Sequence, residues 1–160
     1  TPLKKELPLQ YCRRIAEKKI KALELADDEI ALCADTTVAL GRRILGKPSD
    51  RDEANSFLSL LSGRRHKVIT CVATKKQNQV KVKEVISVVK MKVLSFQEIE
   101  TYLDSGDWEG KAGGYGIQGP AASFIPWISG SYTGIVGLPL TETMSLLGSL
   151  KYPVFGRKDG

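Results

Sequence analysis

Two valine-rich stretches, residues 66–74 and 80–93, are separated by only the short polar segment 75–79. A link that short joins antiparallel neighbours, so the pattern predicts a β-hairpin, and a sheet must be built around it. Residues 8–25 place Cys12, Ile15, Ala16, Lys19 and Leu23 three or four apart, with Ile20 adjoining, which predicts a helix with one apolar stripe. Residues 29–34 are short and nearly continuous in apolar character, as expected of a strand buried on both faces, and they run directly into Asp35-Thr36-Thr37.

Further along, a turn around Gly41, Gly46 and Pro48 leads to Ser49, which can cap a helix carrying Ala54, Phe57, Leu58 and Leu61, with Gly63 as its stop. Ser95 and Glu98 have the spacing of a capping box, and the helix they open carries Ile99, Tyr102 and Leu103 before Gly106. Residues 124–128 and 131–136 read as two strands joined at Ser129-Gly130, and a last helix is predicted over 139–150. The tail, 151–160, reads as flexible. This order of elements predicts an α/β domain with a mixed twisted sheet flanked by helices, spanning 1–160 as a single unit.

With 160 residues and 42% apolar content the chain is able to bury one core, and no apolar run approaches the roughly 20 residues needed to cross a bilayer. The three cysteines, Cys12, Cys33 and Cys71, lack paired metal or redox spacing and read as reduced, buried thiols of a cytoplasmic protein. A formal charge of +6 attracts polyanions in general. Its cluster at Arg13, Arg14, Lys18, Lys19 and Lys21 has no interleaved aromatic residues, so neither nucleic acid nor membrane is the expected partner.

Candidate chemistry concentrates in two places. The stretch Lys111-Ala112-Gly113-Gly114-Tyr115-Gly116-Ile117-Gln118-Gly119 crowds glycines around one lysine and one glutamine. It is either a tight connection or a loop whose backbone, ammonium and amide converge on an anionic ligand. Asp35, following an apolar strand, sits where a sheet opens its crevice, either as a cap or as a carboxylate that takes a proton or holds a cation. Lys47, between Gly46 and Pro48, is a turn lysine or a phosphate neutraliser, and Arg64 and Arg65 complement a helix C-terminus. The single histidine, His66, reads as structural, and Glu142 complements a helix N-terminus. Neither a nucleophile elbow nor a Walker loop, dinucleotide fingerprint or zinc spacing occurs.

Ala34-Asp35-Thr36-Thr37-Val38, Gly46-Lys47-Pro48, Leu61-Ser62-Gly63-Arg64-Arg65-His66, the glycine loop, and Gly130-Ser131-Tyr132 with Gly137-Leu138-Pro139-Leu140-Thr141-Glu142 occur in the order and spacing of Maf-like proteins. The chain resembles that family over nearly its whole length. The resemblance implies a Maf/Ham1 fold and a nucleoside triphosphate pyrophosphatase, cutting between α and β phosphates with a divalent cation, magnesium or manganese. It implies Asp35 as proton acceptor and metal ligand, Thr36 and Gln118 as positions of substrate choice, and Lys47 as a pocket lysine. Lys111 joins Lys47 in offsetting charge on the departing pyrophosphate. The Gly-Tyr-Gly-Ile-Gln-Gly form is similar to the branch acting on dTTP and UTP.

Members of the family begin with a strand and a Ser-Pro-Arg-Arg type loop, whereas this chain starts at Thr1-Pro2-Leu3-Lys4. On that comparison the N-terminal segment is expected to be missing from the domain, and catalysis by the chain as it stands to be weak or lost. The competing expectation is a non-catalytic, nucleotide-binding regulator of cell division and septum formation. A homodimer is also expected from the family.

Overall fold

A computed structural model describes residues 1–155, so part of the tail expected to be flexible lies outside the described residues. Its centre is the hairpin of β3 (Arg65–Lys76) and β4 (Gln79–Lys90), turned at Gln77-Asn78 and paired in register from Arg65 opposite Lys90 to Lys76 opposite Gln79. β1 (Ile30–Leu40) lies on the other side of β3, and β2 (Arg43–Leu45) and β5 (Trp127–Ser129) form the edges, in the order β2-β1-β3-β4-β5. All pairings among the described residues are antiparallel, which corrects the expectation of a mixed sheet. The short links of the β1–β2 and β3–β4 hairpins impose that direction within each of those pairs.

β3 is the strand buried on both faces, a place the sequence pattern predicts for 29–34. Ile69, Cys71 and Ala73 face one side and Val68 the other, so both sets of alternating side chains find a layer to pack against. β1 is less covered, with Leu32 39% exposed, because β2 pairs only with Val38, Ala39 and Leu40. Asp35 therefore stands in the middle of a strand, opposite Cys71, rather than after its end. The β-branched Thr36, Thr37 and Val38 carry the pairing onward, since their side chains suit a pleated surface.

Helix α1 (Pro8–Lys21) covers one face of the sheet through Cys12, Ala16 and Ile20, a row spaced four apart. Leu23 falls beyond its end and Lys19 points away from the core, so the stripe is narrower than the one predicted. On the other face lie α2 (Arg51–Leu61) and α3 (Phe96–Asp104). Asp50, not Ser49, caps α2, its carboxylate accepting from the Glu53 amide at 2.8 Å. Ala54, Phe57, Leu58 and Leu61 are buried as predicted, each fully buried leucine contributing roughly 2 kcal/mol. Ser95 and Glu98 form the capping box of α3.

The segment predicted as a strand over 131–136 is instead a short helix, α4 (Tyr132–Val136). Ser131 Oγ accepts from the Gly134 amide at 2.9 Å and Gly137 closes the turn at φ 132°, so the cap outweighs local strand propensity. The last helix, α5 (Leu140–Ser149), follows. No helix among the described residues is long and apolar enough to cross a membrane.

Candidate functional site

A cavity of about 530 Å³ opens along the edge of β1 that β2 leaves unpaired. Asp35 and Thr36 reach it from opposite faces of the strand, because successive side chains alternate. Lys47 lines it from the β2–α2 connection, and Lys111, Gly116, Gln118 and Gly119 line it from the glycine loop. Ile135 and Val136 of α4 add an apolar wall. All five residues singled out in the sequence therefore border one cavity.

The glycine loop is held from several directions. Gly113 sits at φ 72° and donates its amide to Gly46 O at 3.0 Å, tying the loop to the turn that carries Lys47. A Cβ there would lie 3.0 to 3.2 Å from three atoms of Val38. Tyr102 donates its hydroxyl to Gly114 O at 3.0 Å. Tyr115 turns inward to bond the buried His66 Nε2, with the two rings edge to face 5.5 Å apart. His66 is thus the structural residue expected, and it fixes the loop from beneath.

Burial lowers the His66 pKa to about 4 from the ordinary 6.5, so the imidazole is neutral in the folded protein at neutral pH. In the unfolded chain it protonates below about 6.5, and the unfolded state then binds more protons than the folded state between pH 6.5 and 4. Stability is expected to fall over that window as pH drops, by on the order of 3 kcal/mol, and this contribution levels off below it. Denaturant melts at pH 7 and pH 4.5, on the wild type and on His66→Gln, check this. The variant should lack that part of the slope, and an identical slope in both proteins would contradict it.

Two residues that the sequence pattern did not place in the site complete the charge pattern. Lys19 of α1 places its ammonium 2.6 Å from Asp35 Oδ1, and Lys111 Nζ bonds Asp107 through Oδ1 at 3.1 Å and the main-chain oxygen at 2.6 Å. Both had a signal: a lysine inside an otherwise apolar helical stripe needs a counter-charge, and Asp107 stands four residues before Lys111. Lys47 makes no hydrogen bond or ion pair with a described residue, which leaves its charge free for a ligand.

Thr36 bonds Thr70, and Gln118 is exposed with its amide unpaired among the described residues. Behind Asp35 the Cys12 thiol contacts the carbonyl oxygens of Asp35 and Ile69 at 3.1 and 3.4 Å. All three cysteines are free thiols, Cys12 and Cys71 buried and Cys33 only partly so.

No group of three or more histidine, cysteine or acidic side chains gathers as metal donors among the described residues. The described residues therefore do not build an all-protein cage. Asp35 offers one carboxylate, Oδ1 engaged by Lys19 and Oδ2 without a partner among the described residues. That donor set fits a magnesium-like ion which takes one or two carboxylates and completes its shell with water and phosphate oxygens.

The family model described as Maf-like protein matches residues 1–150. A dTTP/UTP pyrophosphatase of Roseobacter denitrificans is 64% identical over 152 residues, covering 95% of this chain and 81% of that protein. One of Ruegeria sp. is 59% identical over 155 residues, covering 97% and 80%. A nucleoside triphosphate pyrophosphatase of Anaplasma marginale is 51% identical over 148 residues, covering 91% and 76%.

Proposed function

Because this chain belongs to the Maf-like protein family, we propose that it hydrolyses dTTP and UTP of the cytoplasmic pool to the nucleoside monophosphate and pyrophosphate. The observation that carries this reading is that Asp35 and Gln118, from distant parts of the chain, line the same cavity. The cavity wall offers a carboxylate, the lysines Lys19, Lys47 and Lys111, and an amide unpaired among the described residues.

The Gln118 amide carries a donor and an acceptor, which matches the acceptor and N–H of a uracil or thymine edge. Lys47 and Lys111 face the polyphosphate and offset charge on the β and γ groups. Water attacks the α-phosphorus, a new P–O bond forms, the bond from that phosphorus to the bridging oxygen breaks, and pyrophosphate leaves. Asp35 takes the proton of the attacking water, while Lys19, with its ammonium 2.6 Å from Oδ1, orients the carboxylate. Asp35 would also hold a divalent cation, which supplies charge neutralisation at the phosphates and a more acidic bound water.

Incubation with UTP or dTTP and magnesium is expected to release one pyrophosphate per monophosphate formed. A chelator should abolish release, and excess magnesium should restore it. Orthophosphate as first product would contradict the reading, because it places the cut at the β–γ bond. Tight nucleotide binding without turnover would instead support the non-catalytic regulator.

A further inference from the structure

We propose that Thr70 is a positioning residue that fixes the polarity of the Thr36 hydroxyl, so that position 36 accepts a hydrogen bond from the nucleoside part of the substrate. Thr36 and Thr70 are directly opposite in the β1–β3 register, with their hydroxyl oxygens 2.9 Å apart. Thr70 is fully buried and lies 2.7 Å from Gly134 O. A carbonyl only accepts, so Thr70 donates its single proton to Gly134. The proton between the two threonines must then come from Thr36. What Thr36 has left for the cavity is lone pairs.

This polarity is built in from outside the site. Gly134 is placed by the α4 cap, its amide donating to Ser131 Oγ at 2.9 Å, and the Ser131 amide donates to Ser87 Oγ of β4 at 2.9 Å. A Cβ at Gly134 would lie 3.1 Å from Ser131 Oγ and 3.2 Å from Val85, so glycine lets α4 pack this closely on its cap and on β4. Donation thus runs from Thr36 to Thr70 to the Gly134 carbonyl, whose place Ser131 and Ser87 fix, and this gives the Gly130-Ser131 motif a role that the phosphate chemistry does not use.

A hydroxyl restricted to accepting favours a ligand that offers N–H or O–H and disfavours one that offers a lone pair at that point. In dTTP and UTP two shared groups have that chemistry, the imide N–H of the base and the 3′-hydroxyl of the sugar. The inference rests on the function proposed above.

The test is pyrophosphate release by Thr70→Val, Thr70→Ser, Thr36→Val and the Thr36→Val/Thr70→Val double variant, using UTP, CTP, dTTP and dideoxy-TTP. Thr70→Val should raise KM by about fivefold for substrates that carry the donor, with kcat within about twofold. Thr70→Ser should stay close to wild type. If the imide is read, UTP is penalised and CTP, whose ring nitrogen bears a lone pair, is not. If the sugar is read, dTTP is penalised and dideoxy-TTP is not. In the Thr36→Val background, Thr70→Val should add nothing to selectivity.

An equal kcat loss on all four substrates, or a full additional effect in the double variant, would overturn the inference while leaving the function standing. Wild-type protein that releases pyrophosphate from none of them would overturn the function and the inference together. Should Thr70→Val not fold, Thr70→Cys, a much weaker donor, takes its place with the same expected outcomes.

Discussion

Replacing Asp35 with asparagine is expected to lower pyrophosphate release from UTP by on the order of 10³-fold while the protein stays folded. Asparagine keeps the shape of the side chain and loses its basicity and charge, so proton acceptance and cation binding fail together. Stability should change by less than about 1 kcal/mol, because the ion pair that is lost joins Asp35 to a lysine whose side chain is 51% exposed. The backbone carbonyl of Asp35, which the Cys12 thiol contacts, is untouched. Steady-state assays paired with thermal melts separate the two effects. A variant that turns over UTP within about threefold of wild type would remove Asp35 from the chemistry.

The second large effect is expected at Gly113. Alanine there must adopt φ near 72° and bring its Cβ within 3.0 to 3.2 Å of the Val38 side chain, which is itself 97% buried in the core. The left-handed backbone costs about 1 kcal/mol and the overpacking roughly 1–3 kcal/mol more. Gly113→Ala should therefore lose about 2–4 kcal/mol in denaturant melts, and the strained loop should carry Lys111 and Gln118 out of place and raise KM. Gly46→Ala is the control. Nothing lies within 4 Å of a Cβ at Gly46, and its stability should change by less than about 0.5 kcal/mol. Equal stability of the Gly113 variant and wild type would mean that the loop yields more easily than its contacts with Val38 imply.

What the sequence made legible follows from how local each signal is. The β3–β4 hairpin, α2, α3 and α5 were written in short-range periodicity and caps, and they stand where the pattern places them. The extent of β1 was not, because its continuation through Thr36 to Leu40 depends on β3 and β2 lying beside it. Residues 131–136 misled for a different reason, since one serine side chain bonding Gly134 decides helix over strand. In the site, the strand, the turn and the glycine loop announced Asp35, Thr36, Lys47, Lys111 and Gln118 individually, while their meeting at one cavity needed the fold. Lys19 and Asp107 were hidden as ordinary helix and loop charges until a partner was seen at hydrogen-bond distance. The roles themselves came from resemblance, as spacing alone left each residue a bland alternative.

A crystal structure of Asp35→Asn with UTP and magnesium is the most direct measurement of whether one nucleotide spans the cavity. The uracil edge is expected against the Gln118 amide, with the α-phosphorus beside position 35 and the β and γ groups toward Lys47 and Lys111. A nucleotide bound with its base away from the 111–119 loop, or with its γ-phosphate at position 35, would contradict the shared site.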